Sequence, residues 1–162
     1  MKIRDIDRDK PVIIQVRAAQ WTNGEAMPNI RLTTEGVLRN NEGTWEVHYD
    51  ESEATGMEGT RTMIAISPSG AIRMERRGTV EMDMIFREGQ NHRSQITMPY
   101  GILSFQLTTN EARGSLNEQG GSVSLSYALD FDADSVISTT LLLLVQAQDG
   151  LTIQGTSPAG LQ

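Results

Sequence analysis

Two ionisable side chains sit at positions where the local pattern calls for apolar ones. In the stretch 45–51, Trp45, Val47 and Tyr49 alternate with Glu46, His48 and Asp50, so Glu51 falls in line with the apolar set. In the stretch 72–77, Ile72 and Met74 share their parity with Arg76, while Arg73, Glu75 and Arg77 point the other way as surface charges of opposite sign. A carboxylate and a guanidinium on the apolar parity can do one of two things. They can pair as a structural latch. Alternatively, the planar fork of Arg76 can hold an anionic or carbonyl-bearing ligand, with Tyr49 beneath it.

Other chemistry finds little support. A serine nucleophile needs a base, and the histidines are His48 and His92. His48 has the parity opposite to Trp45, so it should face solvent. His92 shares parity with Ile96 and Met98, so it should point inward. They form neither a triad nor a metal pair, and no nucleophile elbow or zinc-protease helix motif occurs. The run Asp130-Phe-Asp132-Ala-Asp134 begins like a calcium loop. An EF-hand would need glycine where Ser135 stands and glutamate where Leu141 stands. It reads as a strand end entering an acidic loop, and the carboxylate-rich stretch 50–59 reads as another solvated loop. No catalytic residue, metal site or cofactor is therefore expected.

These side chains must be positioned by strands. The clearest strand is 122–131, where Val123, Leu125, Tyr127, Leu129 and Phe131 alternate with Ser122, Ser124, Ser126 and Asp130. Val80, Met82, Met84 and Phe86 alternate with Glu81 and Asp83 in the same way. Further strands are expected at 11–22, 29–39, 60–67, 70–77, 90–98, 101–109, 111–118 and 138–147. Ser67-Pro-Ser-Gly70 has type I turn chemistry, and 40–43, 88–89 and 119–121 are further turn signals. The methionines of these strands, among them Met74, Met82 and Met84, could fill a core or line an adaptable pocket.

Short connections make the chain an antiparallel up-and-down meander, and a meander this long closes to remove its edges. The expected fold is therefore all-β, a closed barrel of about 8–10 strands, with a two-sheet sandwich as the alternative. Residues 1–10 are expected as a solvated leader, 11–148 as a single barrel domain and 149–162 as a loose tail. Strands 43–51 and 70–77 are separated by one strand, so they run in the same direction and bring Glu51 and Arg76 to the same mouth. Two strand spacings leave their backbones roughly 10 Å apart.

Composition narrows the field. The 162 residues carry 21 acidic and 14 basic side chains, a net charge of −7, and Lys2 and Lys10 are the lysines. Phosphate binding along a nucleic acid needs clustered cations, so a nucleic-acid partner is not expected. Without cysteine there can be no disulfide framework or thiolate metal site. The apolar run 141–145 is far shorter than the ~18 residues that span a bilayer. The N-terminus shows no signal-peptide pattern. A soluble cytoplasmic protein without a membrane partner is expected.

From Val12 to Ala147 the chain resembles the YwiB-like family of bacterial proteins. The resemblance rests on Tyr49 and Glu51 followed by Gly56 and Gly59, on Arg76 and Gly78, and on Phe86 and Gly89. It continues through Tyr100-Gly101 to Thr109 and Tyr127. Ile96 departs from it, where a tyrosine would stand ahead of the turn 98–101. The resemblance implies a calycin-type barrel of the lipocalin and streptavidin kind, with no established activity. Tyr49, Glu51, Arg76 and Tyr127 are the candidate ligand-binding residues. The expected function is non-enzymatic binding of a small apolar or anionic ligand. The alternatives are a structural or interaction barrel with a filled core, able to self-associate, and an enzyme using Glu51 and Arg76.

Overall fold

A computed structural model of the protein describes residues 9–132 and 134–148. The strands are β1 (Lys10–Thr22), β2 (Glu25–Ala26), β3 (Ile30–Asn41), β4 (Thr44–Asp50), β5 (Thr60–Ile66), β6 (Ile72–Gly78), β7 (Glu81–Phe86), β8 (Asn91–Met98), β9 (Gly101–Asn117), β10 (Gly120–Phe131) and β11 (Ser135–Ala147). From β3 to β11 each strand pairs antiparallel with the next, β3 also pairs with β1, and β1 pairs with β11. The meander is thereby closed into a ten-stranded barrel. The two-residue β2 lies outside it, hung on the end of β1. The closing ladder is long, running from Val12 opposite Ala147 to Thr22 opposite Ile137. The sandwich is excluded.

Local chemistry explains the connections. Two-residue hairpin loops need two left-handed residues to match the strand twist. Asn23-Gly24 (φ 51° and 87°) and Glu42-Gly43 (φ 52° and 94°) supply them. The Asn-Gly pair is a sequence signal for a hairpin after residue 22, and it makes β2, which the strand expectations above lack. In the turn at 67–70, Gly70 N–H donates to the Ser67 carbonyl at 2.9 Å. Lys10 opens β1 and Asp9 holds Arg39 in a two-bond fork (2.7 and 3.0 Å), so the described end of the expected leader is tied to the barrel. The rest of that leader, and the expected tail at 149–162, lie outside the described residues.

One correction concerns 101–118. Residues 101–117 form the single strand β9, not two strands, with a bulge between the pairs Glu111–Ser126 and Thr109–Tyr127. The extra residue, Asn110, switches the inward parity from odd (Phe105, Leu107, Thr109) to even (Ala112, Leu116). A change of phase in an otherwise continuous strand reads, in sequence, as a break.

The lumen has two layers of different character. One half is filled by fully buried side chains such as Ile14, Leu38, Ile64, Met74, Val123 and Leu143. Burying each of these contributes about 1.5–3 kcal/mol relative to leaving it in water. The other half, toward the ends of β4 and β6, carries the buried polar residues Glu51, Thr60, Thr62, Thr109 and Thr139 together with Tyr49 and Tyr127. Met74, Met82 and Met84 belong to the core. Met63 is buried on the outer wall instead, in a groove also lined by Glu46, His48, Arg73 and Glu75.

Candidate functional site

Strand register assembles the polar end of the lumen. Gly36, Tyr49, Thr62, Arg76 and Met82 are directly opposite one another in sequence across β3 to β7, so they form one inward row. Glu51 lies just beyond β4. Its N–H donates to the Thr60 carbonyl at 2.8 Å, which carries the strand direction one residue further and keeps the side chain inward. Thr60 also accepts the Val80 N–H on its hydroxyl at 3.1 Å, tying the β6–β7 turn to the same place. After Glu51 the chain makes a short 3-10 turn, Glu53–Thr55, capped by the Ser52 hydroxyl, and this turn packs back on β3.

Within the row, Arg76 Nε donates to Thr62 Oγ1 at 3.3 Å, and Thr62 donates in turn to Glu51 Oε2 at 2.5 Å. Arg76 Nη2 lies 3.7 Å from the same carboxylate oxygen. The Glu51 side chain is 1% exposed and that of Arg76 12%, so the guanidinium is the outer member of the chain. Glu51 and Arg76 thus meet at one end of the barrel, as their strand directions require, and Thr62 bridges them.

β10 stands diametrically opposite β5 and presents Tyr127 between Thr109 on β9 and Thr139 on β11. The Tyr127 ring packs on Phe86 with centroids 5.0 Å apart. Burial pushes the Tyr127 phenol above its ordinary pKa, against the opposing pull of Arg76 and a bond to Thr139. Burial likewise pushes the Tyr49 phenol up, reinforced by the negative charge of Glu51 beside it. Both phenols are therefore neutral at every physiological pH. Gly36 is needed for a different reason: a Cβ there would stand 2.4 Å from Ile14 Cδ1 and 2.4 Å from the His48 carbonyl. Its missing side chain lets Ile14 fold against Tyr49.

Two polar atoms of this layer are buried without a hydrogen-bond partner among the described residues, Glu51 Oε1 and Thr109 Oγ1. Leaving such an atom unsatisfied costs on the order of 1–3 kcal/mol, more for a charged group. The layer therefore holds a carboxylate with one bonded and one free oxygen, a guanidinium at its outer edge, and two un-ionised phenols. It can donate to and accept from a polar group and pack against an apolar one.

The histidines stay apart. His48 is on the outer wall, 2.9 Å from Glu46, and His92 is half-buried opposite Leu107. No group of three or more His, Asp or Glu that could hold a metal exists among the described residues. Arg73 and Arg77 pair with Glu75, and Arg77 also reaches Asp83 at 2.9 Å. Thr60, Thr62 and Thr139 escape the sequence reading, although Thr60 and Thr62 share parity with Ile64 and Ile66. The opposite end of the barrel opens on a recess of about 540 Å³ with Leu38 and Trp45 on its walls.

Residues 14–143 match the family model described as a domain of unknown function, DUF1934. The fold is similar to the crystal structure of the YwiB protein from Bacillus subtilis, with a TM-score of 0.70 and 20% identity over 85% of this chain and 92% of that one. No curated protein matches the chain. No helix among the described residues is long and apolar enough to cross a membrane.

Proposed function

The chain belongs to the YwiB-like DUF1934 family of calycin-like barrels, and from the chemistry of its lumen we propose that it is a non-enzymatic binding protein for a small molecule. The ligand's apolar body lies against Tyr49 and Tyr127. Its head accepts a hydrogen bond from Arg76 and donates one to Glu51, as a carboxylic acid or a primary amide does. The observation that carries this reading is the buried, unpartnered Glu51 Oε1 beside a guanidinium that is the more exposed member of the pair. A barrel of this strand number is wide enough to hold one small ligand. The reading includes a bacterial, cytoplasmic setting and needs no cofactor, nucleic acid or membrane.

A thermal-shift survey against short amphiphiles with acid, amide and amine heads tests it. The acid or amide series should raise the melting temperature. Glu51→Gln should weaken that binding about 10- to 100-fold, the equivalent of one charge-assisted hydrogen bond. No shift with any head group would retire the idea.

A second reading, an interaction barrel that self-associates, draws on the tip of the β8–β9 hairpin, where Tyr100, Ile102 and Leu103 are exposed. Light scattering of the eluting protein decides it: a dimer that Tyr100→Ser and Leu103→Ser dissolve would favour this reading over the first.

A further inference from the structure

Outside the lumen, the wall made by β3, β1, β11, β10 and β9 carries a groove of about 260 Å³. Arg17 of β1 and Arg31 of β3 are direct cross-strand partners on this outer face, and both are exposed. Across β1 the register continues through Leu142 to Ser124, with Thr140 and Ser126 in the next row. Two arginines therefore stand at one side of a floor rich in hydroxyls.

The pair is costly as it stands. Directly opposed side chains in an antiparallel sheet have Cβ atoms about 5 Å apart, and like charges there repel. Apart from Arg87, the other described arginines are neutralised: Arg39, Arg61, Arg73, Arg76, Arg77, Arg93 and Arg113 each have a carboxylate within 4 Å. Arg17 and Arg31 have no ion pair among the described residues, and Arg17 has only a long bond to the Gln15 amide, 3.4 Å. A chain with seven more acidic than basic side chains has ample carboxylates, yet none is placed between them. The carboxylate lining the groove, Glu111, is engaged by Arg113 at 3.6 Å.

We propose that this groove is an anion site for a phosphoryl group, either free phosphate or the phosphate of a small metabolite. Two guanidinium forks offer more donors than one carboxylate can accept, and the hydroxyls of Ser124, Ser126 and Thr140 add single donors on the far side. That donor set matches the several acceptor oxygens of a phosphate dianion.

The test is thermal denaturation of the full chain at constant ionic strength with inorganic phosphate, glycerol phosphate and succinate, beside Arg17→Gln/Arg31→Gln. Both phosphates should raise the wild-type melting temperature saturably, by roughly 3–6 °C at ten times Kd. The preferred source is the one effective at lower concentration. The double variant should melt at or above the wild-type temperature without anion, because the repulsion is gone, and should lose the response. An equal response to succinate, an unchanged response in the variant, or no response at all overturns the site. Should the double variant fail to fold, backbone amide shifts in the wild type decide instead. Phosphate must move Ser124, Ser126 and Thr140, and shifts confined to other strands contradict the assignment.

Discussion

Arg76 is held by Thr62 and Glu51 at an end of the barrel that is nearly closed to water, and that burial makes its removal asymmetric. Taking away one partner of a buried ion pair leaves the other charge uncompensated. Replacing both by neutral groups of similar volume is far less harmful. Arg76→Met should therefore destabilise the protein by about 3 kcal/mol, while Glu51→Gln/Arg76→Met should recover most of that loss, read by urea denaturation. The two buried phenols make a second expectation. Their pKa values are raised on folding, so the native state keeps its phenolic protons where the unfolded chain loses them. Stability from this source is complete below pH 10 and falls as the pH climbs above it. Tyr49→Phe should flatten that alkaline decline in a series of melts from pH 8 to 11. Glu51 and Arg76 were legible in the sequence because a charge on an apolar parity is conspicuous. Thr62 and Thr139 were not, since threonine is equally at home on either face of a strand and shared parity does not single it out.

Strand alternation survives at the scale of whole elements wherever a strand is regular. In 122–131 and 80–86 it identifies every inward residue, because one face is dry and the other wet. It fails at Asn110, where one unpaired residue inverts the phase of β9, and it gives no warning of the seam between β7 and β8. Those two strands are joined only through Glu81–Thr97 and Met82–Ile96, whereas β10 and β11 pair along twelve positions from Gly120–Gln146 to Phe131–Ser135. Ser94 donates its hydroxyl to the Asp83 carbonyl at 2.7 Å, a side-chain bond where the ladder is missing. Amides of β7 and β8 that face this seam should exchange with deuterium at least tenfold faster than those of β10 and β11. Hydrogen exchange followed by mass spectrometry checks it, and uniform protection around the barrel would show that the seam is closed in solution.

The whole molecule is a meander whose first and last long strands meet, and this closure brings Tyr127 across from Thr62. Turn chemistry at ten-residue intervals and the absence of any helical rhythm made the barrel readable. The division of its lumen into an apolar and a polar layer follows from register, which no single strand reveals. That division is the basis of the proposed binding function. Native mass spectrometry of the protein purified from a cell extract, beside the Glu51→Gln/Arg76→Met variant, tests it most directly. Wild-type protein should carry a small-molecule adduct of defined mass that the folded variant lacks. An adduct-free wild type, or the same adduct on both proteins, would contradict the account.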